Sequence, residues 1–161
     1  MTPRARRAPR VATVRGVSDS PVAILTGRSH DVARTLARCG YAVVIAYLEV
    51  GEADGVVDEI QDAGGVALAI RAGLDDELDV ERLFDETTSA FGGVDVVVHT
   101  GPGGGAVVDR QAAYRLRAGG AIFSVPATDR DAEALVASLH AWRAARESTR
   151  GNPGANGRPH G

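Results

Sequence analysis

The stretch Thr26-Gly-Arg-Ser-His-Asp-Val-Ala33 brings together residue types suited to holding a phosphate. An apolar run ends at Thr26, Gly27 turns the chain, and a helix pattern follows. The first turn of a helix leaves N–H groups unpaired and carries the positive end of the peptide dipoles, so anions are favoured there. Arg28 and His30 add positive charge, and Ser29 adds a hydroxyl. Asp31 works against this: two like charges 4 Å apart repel by about 1 kcal/mol in water and about 4 kcal/mol at an effective dielectric of 20. A helix terminus favours an anion by about 0.3–1 kcal/mol, which such a repulsion can cancel. Without a ligand, Asp31 reads as the helix cap and Arg28 as a solvated charge.

A second group of candidates lies at the ends of other apolar runs. His99-Thr-Gly-Pro102 follows Val94-Asp-Val-Val-Val98. His99 could donate to a ligand from a sheet edge, or be a strand-end histidine bonded to a loop. Tyr47 ends another run, and Glu49 two residues on reads as a solvated loop charge. Gly103-Gly-Gly105 is a flexible loop without the spacing of a phosphate cradle.

Several chemistries are excluded. All eighteen basic residues are Arg. No side-chain amine is available for a Schiff base or a proton relay, and a P-loop lysine is ruled out. Cys39 is the single cysteine, so no intramolecular disulfide forms, which fits a cytoplasmic location. No run approaches a membrane span, and the first residues lack the apolar stretch of a secretory leader. A net charge of -3 provides no general attraction to nucleic acid. No metal site is expected.

These residues need elements to position them. Residues 1–20 are rich in Arg and Pro and read as a disordered basic arm; residues 149–161 read as a disordered Gly/Pro tail. One domain is expected over residues 21–148. Within it, strand-like runs alternate with helical periods. Strands are expected at 22–26, 41–47, 66–70, 94–98 and 121–125. Helices are expected at 31–38, 52–63, 75–91, 107–116 and 131–147. The third helix is the best specified, with Val80, Leu83, Phe84, Thr87 and Phe91 at the spacing of one buried face. Gly119-Gly120 reads as the stop of the fourth helix. The last helix turns Leu135, Leu139 and Trp142 inward. Alternating strands and helices, with strands apolar throughout, imply a doubly wound parallel α/β sheet of about five strands ordered 3-2-1-4-5.

The ordered segments resemble the short-chain dehydrogenase/reductase family. The resemblance rests on Val22-Ala-Ile-Leu-Thr-Gly27, Gly40-Tyr-Ala-Val-Val-Ile-Ala-Tyr47, Glu59-Ile-Gln-Asp-Ala-Gly-Gly65, Arg82-Leu-Phe-Asp85 and Ala90-Phe-Gly-Gly-Val-Asp-Val-Val-Val98. It covers residues 21–98 well and 116–125 weakly. It implies a Rossmann-type fold and an NAD(P)-dependent oxidoreductase. It also implies cofactor contacts from Thr26, Gly27, Arg28, Ser29, His30, Val32, Tyr47 and His99.

The chain departs from the family pattern at several places. The family's first turn reads Thr-Gly-x-x-x-Gly-x-Gly; here Asp31 replaces the second glycine and Ala33 the third. Tyr47 stands where NAD-preferring relatives carry an acid, which leans toward weakly held NADP(H) over NAD(H). Gly73 replaces an adenine-contacting Asp, with Asp75 and Asp76 nearby reading as helix caps. His99-Thr-Gly-Pro102 replaces Asn-Asn-Ala-Gly. The catalytic Ser position aligns near Ala127, with Thr128 beside it. The Tyr-x-x-x-Lys pair has no counterpart, since no Tyr follows Tyr114 and Lys is absent. The connection between strands four and five is shorter than the family's, and its last two strands and substrate-binding loop are not matched.

Two expectations follow. The first is a divergent oxidoreductase-like domain that binds a dinucleotide weakly and is inactive or very weak alone. Losing one tuned acid/base group typically costs ~10²–10⁴ in rate. The second is a non-catalytic interaction protein, associating through the last two helices with itself or with a full-length relative. A solvent-facing Trp142 would mark that interface; a Trp142 packed on the sheet would not.

Overall fold

The computed structural model describes residues 20–27, 29–51, 53–101, 105–125 and 129–151. The proposed basic arm up to residue 19, Arg28, Pro102–Gly104, Ala127, Thr128 and the tail beyond Gly151 lie outside the described residues.

Five strands and five helices alternate. They are β1 (Val22–Thr26), α1 (His30–Arg38), β2 (Ala42–Tyr47), α2 (Asp54–Asp62), β3 (Val66–Arg71), α3 (Glu77–Phe91), β4 (Val94–Thr100), α4 (Ala106–Arg115), β5 (Leu116–Val125) and α5 (Asp129–Gly151). All pairings are parallel, in the order β3-β2-β1-β4-β5. The expected doubly wound Rossmann-type sheet is therefore the observed one.

The three central strands β2, β1 and β4 are mostly apolar because both faces are covered, whereas the edge strand β5 is half-buried or exposed except at Val125. Ala23, Leu25, Val43, Ile45, Val96 and Val98 pack with Val32 and Leu36 of α1, Val56 and Ile60 of α2, and Leu135 and Leu139 of α5. Ile24, Val44, Ala46 and Val97 point the other way, onto Val80, Leu83 and Phe84 of α3 and Val108 and Ala112 of α4. The period of two along each strand sorts the side chains into these two cores.

Local chemistry sets the helix ends. The hydroxyl of Ser29 caps α1 by accepting from Val32 N–H at 3.3 Å, so Ser29 and not Asp31 is the cap. Asp76 caps α3, accepting from Leu78 N–H at 2.9 Å and Asp79 N–H at 3.2 Å. Gly92, at φ 88°, closes α3 in the left-handed region that suits glycine.

The boundaries that differ most from expectation lie in the last third of the chain. The fourth helix does not stop at Gly119-Gly120. It ends at Arg115 and runs straight into β5, so both glycines lie within a strand. A register shift opposite Val94 and Val96 takes up the extra residues, with Gly119 at φ 82°. Gly120 passes so close to β4 that a Cβ there would sit 2.7 Å from the Asp95 carbonyl oxygen. The last helix continues to Gly151, beyond the expected end at Glu147.

The amino-terminal edge of the sheet is held by buried Asp95. Its carboxylate accepts from Val22 N–H at 2.8 Å, from Arg117 at 3.0 Å and from Arg146 at 2.9 Å. These bonds join β1, β4, β5 and α5. Burial pushes the Tyr41 hydroxyl up to about 12 at the same end, with the Arg143 guanidinium opposing the shift. Trp142 is half-buried: it stacks on Tyr41 at 6.5 Å between ring centroids and donates to the Gly119 carbonyl at 2.8 Å. Its packing is within the chain.

Candidate dinucleotide site

The opposite, carboxyl edge of the sheet carries a cleft of about 420 Å³. Gly27, His30, Ile45, Ala46, Tyr47, Glu49 and Ala53 line it. In an open parallel sheet, ligands bind outside the carboxyl ends of the strands, where neighbouring helices lie on opposite faces. β1 and β4 meet that condition, since α1 and α4, which follow them, cover opposite faces, and the cleft opens beside this point between the ends of β1 and β2.

The turn after β1 is tied to β4 by side chains. Thr100 Oγ1 donates to the Thr26 carbonyl at 2.8 Å. Thr26 Oγ1 and His99 Nδ1 are 2.8 Å apart. Gly27 has φ 96°, and a Cβ on it would overlap the carbonyl and hydroxyl oxygens of Thr100. Only glycine fits this position, for reasons of both conformation and space.

His99 serves the strand edge, not the cleft. Its Nε2 lies 2.7 Å from Asp109 Oδ1 in the first turn of α4. Both ring nitrogens are thus engaged within the chain, with a strand hydroxyl and a helix carboxylate. The loop partner expected for a strand-end histidine is instead a residue of α4. Gly105 packs on the ring, since a Cβ there would come within 2.9 Å of Nε2.

The other predicted positions separate into groups. Gly27, His30 and Tyr47 line the cleft. Thr26 and Val32 are buried. The Val32 N–H is already taken by Ser29, so these residues shape the turn from behind. Arg28 lies outside the described residues. The Asp31 carboxylate is offset by Arg34 at 2.9 Å, which weakens the repulsion that its charge would exert on a phosphate. Arg34 also bonds Glu59; that hydrogen bond raises the guanidinium's affinity for its proton and holds the Glu59 carboxyl below its usual range.

Sequence reasoning missed three contributors. Glu49, read as a loop charge, lines the cleft. Thr100 clamps the turn. Asp109, ten residues from His99, reaches it because α4 turns back over the end of β4. The only prior signal for Asp109 was an acid in a first helical turn, which is ordinarily explained by the helix dipole.

A family model described as enoyl-(acyl carrier protein) reductase matches residues 24–115, more than half of the chain. The chain belongs to the short-chain dehydrogenase/reductase family. It is 37% identical over 91 residues to 7α-hydroxysteroid dehydrogenase of Escherichia coli strain K12, covering 54% of this chain and 36% of that enzyme. It is 41% identical over 81 residues to cis-4-hydroxycyclohexanecarboxylate dehydrogenase of Sinomonas cyclohexanicum, covering 48% and 32%. Among solved structures, a dehydrogenase/reductase from Sinorhizobium meliloti 1021 superposes with a TM-score of 0.60 at 30% identity, covering 67% of this chain and 55% of that one. A short-chain dehydrogenase/reductase from Serratia marcescens gives 0.58 at 25% identity, covering 65% and 54%. The chain thus spans about a third of the length of the curated relatives it matches. Among the described residues, no helix is long and apolar enough to cross a membrane.

Proposed function

We propose that this short-chain dehydrogenase/reductase domain binds a nicotinamide dinucleotide through its adenosine and diphosphate end and has no turnover of its own. The carrying observation is the cleft joined to the Gly27 turn. Its volume lies within the range of small-molecule sites, about 300–1,000 Å³. The turn at its floor lets backbone approach a phosphate, and the start of α1 favours negative charge.

When bound, a nicotinamide ring supplies or accepts hydride. The residues of this chain bind and orient. His30 offers a ring N–H donor at the cleft wall, Gly27 admits the diphosphate, and Tyr47 flanks the ribose. The acid/base pair that would move the accompanying proton has no counterpart here: Lys is absent and no Tyr follows Tyr114. His99 does not replace it, since it is nearly buried and does not line the cleft.

The proposed preference is for NADP(H), because Tyr47 rather than an acid ends β2. The preference is small, because the Glu49 carboxylate lines the same cleft and disfavours an added phosphate. Titration with NADPH and NADH, followed by nicotinamide fluorescence, tests this. Saturable binding of both, tighter for NADPH, is expected. Absence of saturation at millimolar concentration for either nucleotide refutes the reading.

Association through α4 and α5 is the second reading, supported by Tyr114 of α4, which is 68% exposed. A concentration-dependent shift on a sizing column is its test.

A further inference from the structure

The line Asp109–His99–Thr26 runs from the half-exposed first turn of α4 to the buried floor of the nucleotide turn. The His99 side chain is 9% exposed and that of Asp109 is 50% exposed. Its two contacts measure 2.7 Å and 2.8 Å. A carboxylate can only accept, so Nε2 of His99 carries the hydrogen. In the neutral ring Nδ1 is then the acceptor, and Thr26 Oγ1 must donate to it. The hydroxyl hydrogen of Thr26 is therefore drawn away from the turn, toward β4. The absence of a side chain at Gly105 leaves space for the imidazole, since a Cβ there would come within 2.9 Å of Nε2.

We infer that Asp109 and His99 are positioning residues for the nucleotide turn: Asp109 fixes the His99 tautomer, and the tautomer fixes the direction of the hydrogen bond that holds Thr26 and Gly27. Asp109 touches neither the cleft nor Thr26 and acts only through the ring. This inference deepens the dinucleotide-binding reading and rests on it for its effect on affinity; the tautomer claim stands apart from any ligand. The competing explanation is that Asp109 merely complements the dipole of α4. The two differ in a measurable way. A dipole effect ignores the state of His99, whereas a relayed effect disappears when His99 or Thr26 cannot take part.

The experiment uses the full chain labelled with ¹⁵N, at about pH 8, above the ordinary titration of imidazole. Ring nitrogen shifts report which nitrogen holds the hydrogen. The wild-type protein is expected to show His99 protonated at Nε2. Asp109→Ala is expected to populate the Nδ1–H form, because its carboxylate acceptor is gone, and to shift the Gly27 and Ser29 amide signals. The affinity for ADP, the probe for the adenosine-diphosphate end, is expected to fall about fivefold, within the coupling seen among residues of one hydrogen-bond network. In a His99→Asn background, Asp109→Ala should leave ADP affinity unchanged; Thr26→Val provides the same test if His99→Asn does not fold. An unchanged tautomer in Asp109→Ala overturns the inference, as does an affinity loss that persists in both backgrounds. If the wild-type protein does not bind ADP, the dinucleotide reading fails, and the ring shifts still decide the tautomer claim.

Discussion

Replacing Gly27 with Ala tests the geometry of the nucleotide turn. Two costs add. At φ 96° an L residue is disfavoured, by about 1–2 kcal/mol. The new methyl also overlaps both Thr100 oxygens and lies 3.0 Å from the Thr100 carbonyl carbon, well inside carbon–carbon contact. Overpacking of this kind costs about 1–3 kcal/mol. The total is about 2–5 kcal/mol. Gly51 provides the control: its φ is 90°, yet a Cβ there meets nothing within 4 Å. Gly51→Ala should therefore cost only the conformational part, about 1–2 kcal/mol. Urea unfolding of the two variants separates the terms. With a slope of about 1–3 kcal/mol per molar urea, Gly27→Ala should unfold at a midpoint about 1 M below Gly51→Ala. Thr100→Ala added to Gly27→Ala should recover part of the loss, since it removes the hydroxyl and leaves the carbonyl. Equal midpoints for the two single variants would refute the close approach of the turn to β4.

Other substitutions probe the frame around the site. Gly55→Ala in α2, where a Cβ meets nothing within 4 Å, should stabilise the protein by about 1 kcal/mol and raise the melting temperature by about 3 °C. Asp95→Ala should destabilise by about 3–5 kcal/mol in chemical denaturation, because it strands Arg117 and Arg146 beside a buried amide. Asp79 accepts from Gly73 N–H, which holds its carboxyl below the usual range. A depressed folded value means stability that is present above the usual carboxylate range and lost as pH falls through the folded value. Asp79→Asn should thus be less stable than the wild type near neutral pH, with the gap closing in acid, as read by melting temperature against pH.

The parts legible in the sequence were those governed by burial on two faces. Val22–Thr26, Ala42–Tyr47 and Val94–Val98 are apolar runs interrupted only at Thr26 and Asp95 because helices cover both sides, and their alternation with helices dictates parallel order. The start of β5 was not legible. Gly119-Gly120 looks like a helix stop, whereas a φ of 82° at Gly119 and the close passage of Asp95 at Gly120 explain the glycines. The site divided in the same way. Gly27 declared itself by type and place. His99 gave no sign of its partners, because pairing with Asp109 depends on how α4 docks on β4, and neither residue's type specifies that. Glu49 looked solvated because a loop sequence does not show which side of it faces a cleft.

The central claim is that the chain holds a dinucleotide without transferring hydride. One cuvette measures both: NADPH at saturating protein, its bound emission recorded, then its absorbance followed after adding a panel of ketones and aldehydes. The account predicts a saturable change in emission and a flat absorbance trace over hours. Steady loss of NADPH, proportional to protein and dependent on the carbonyl compound, would contradict it.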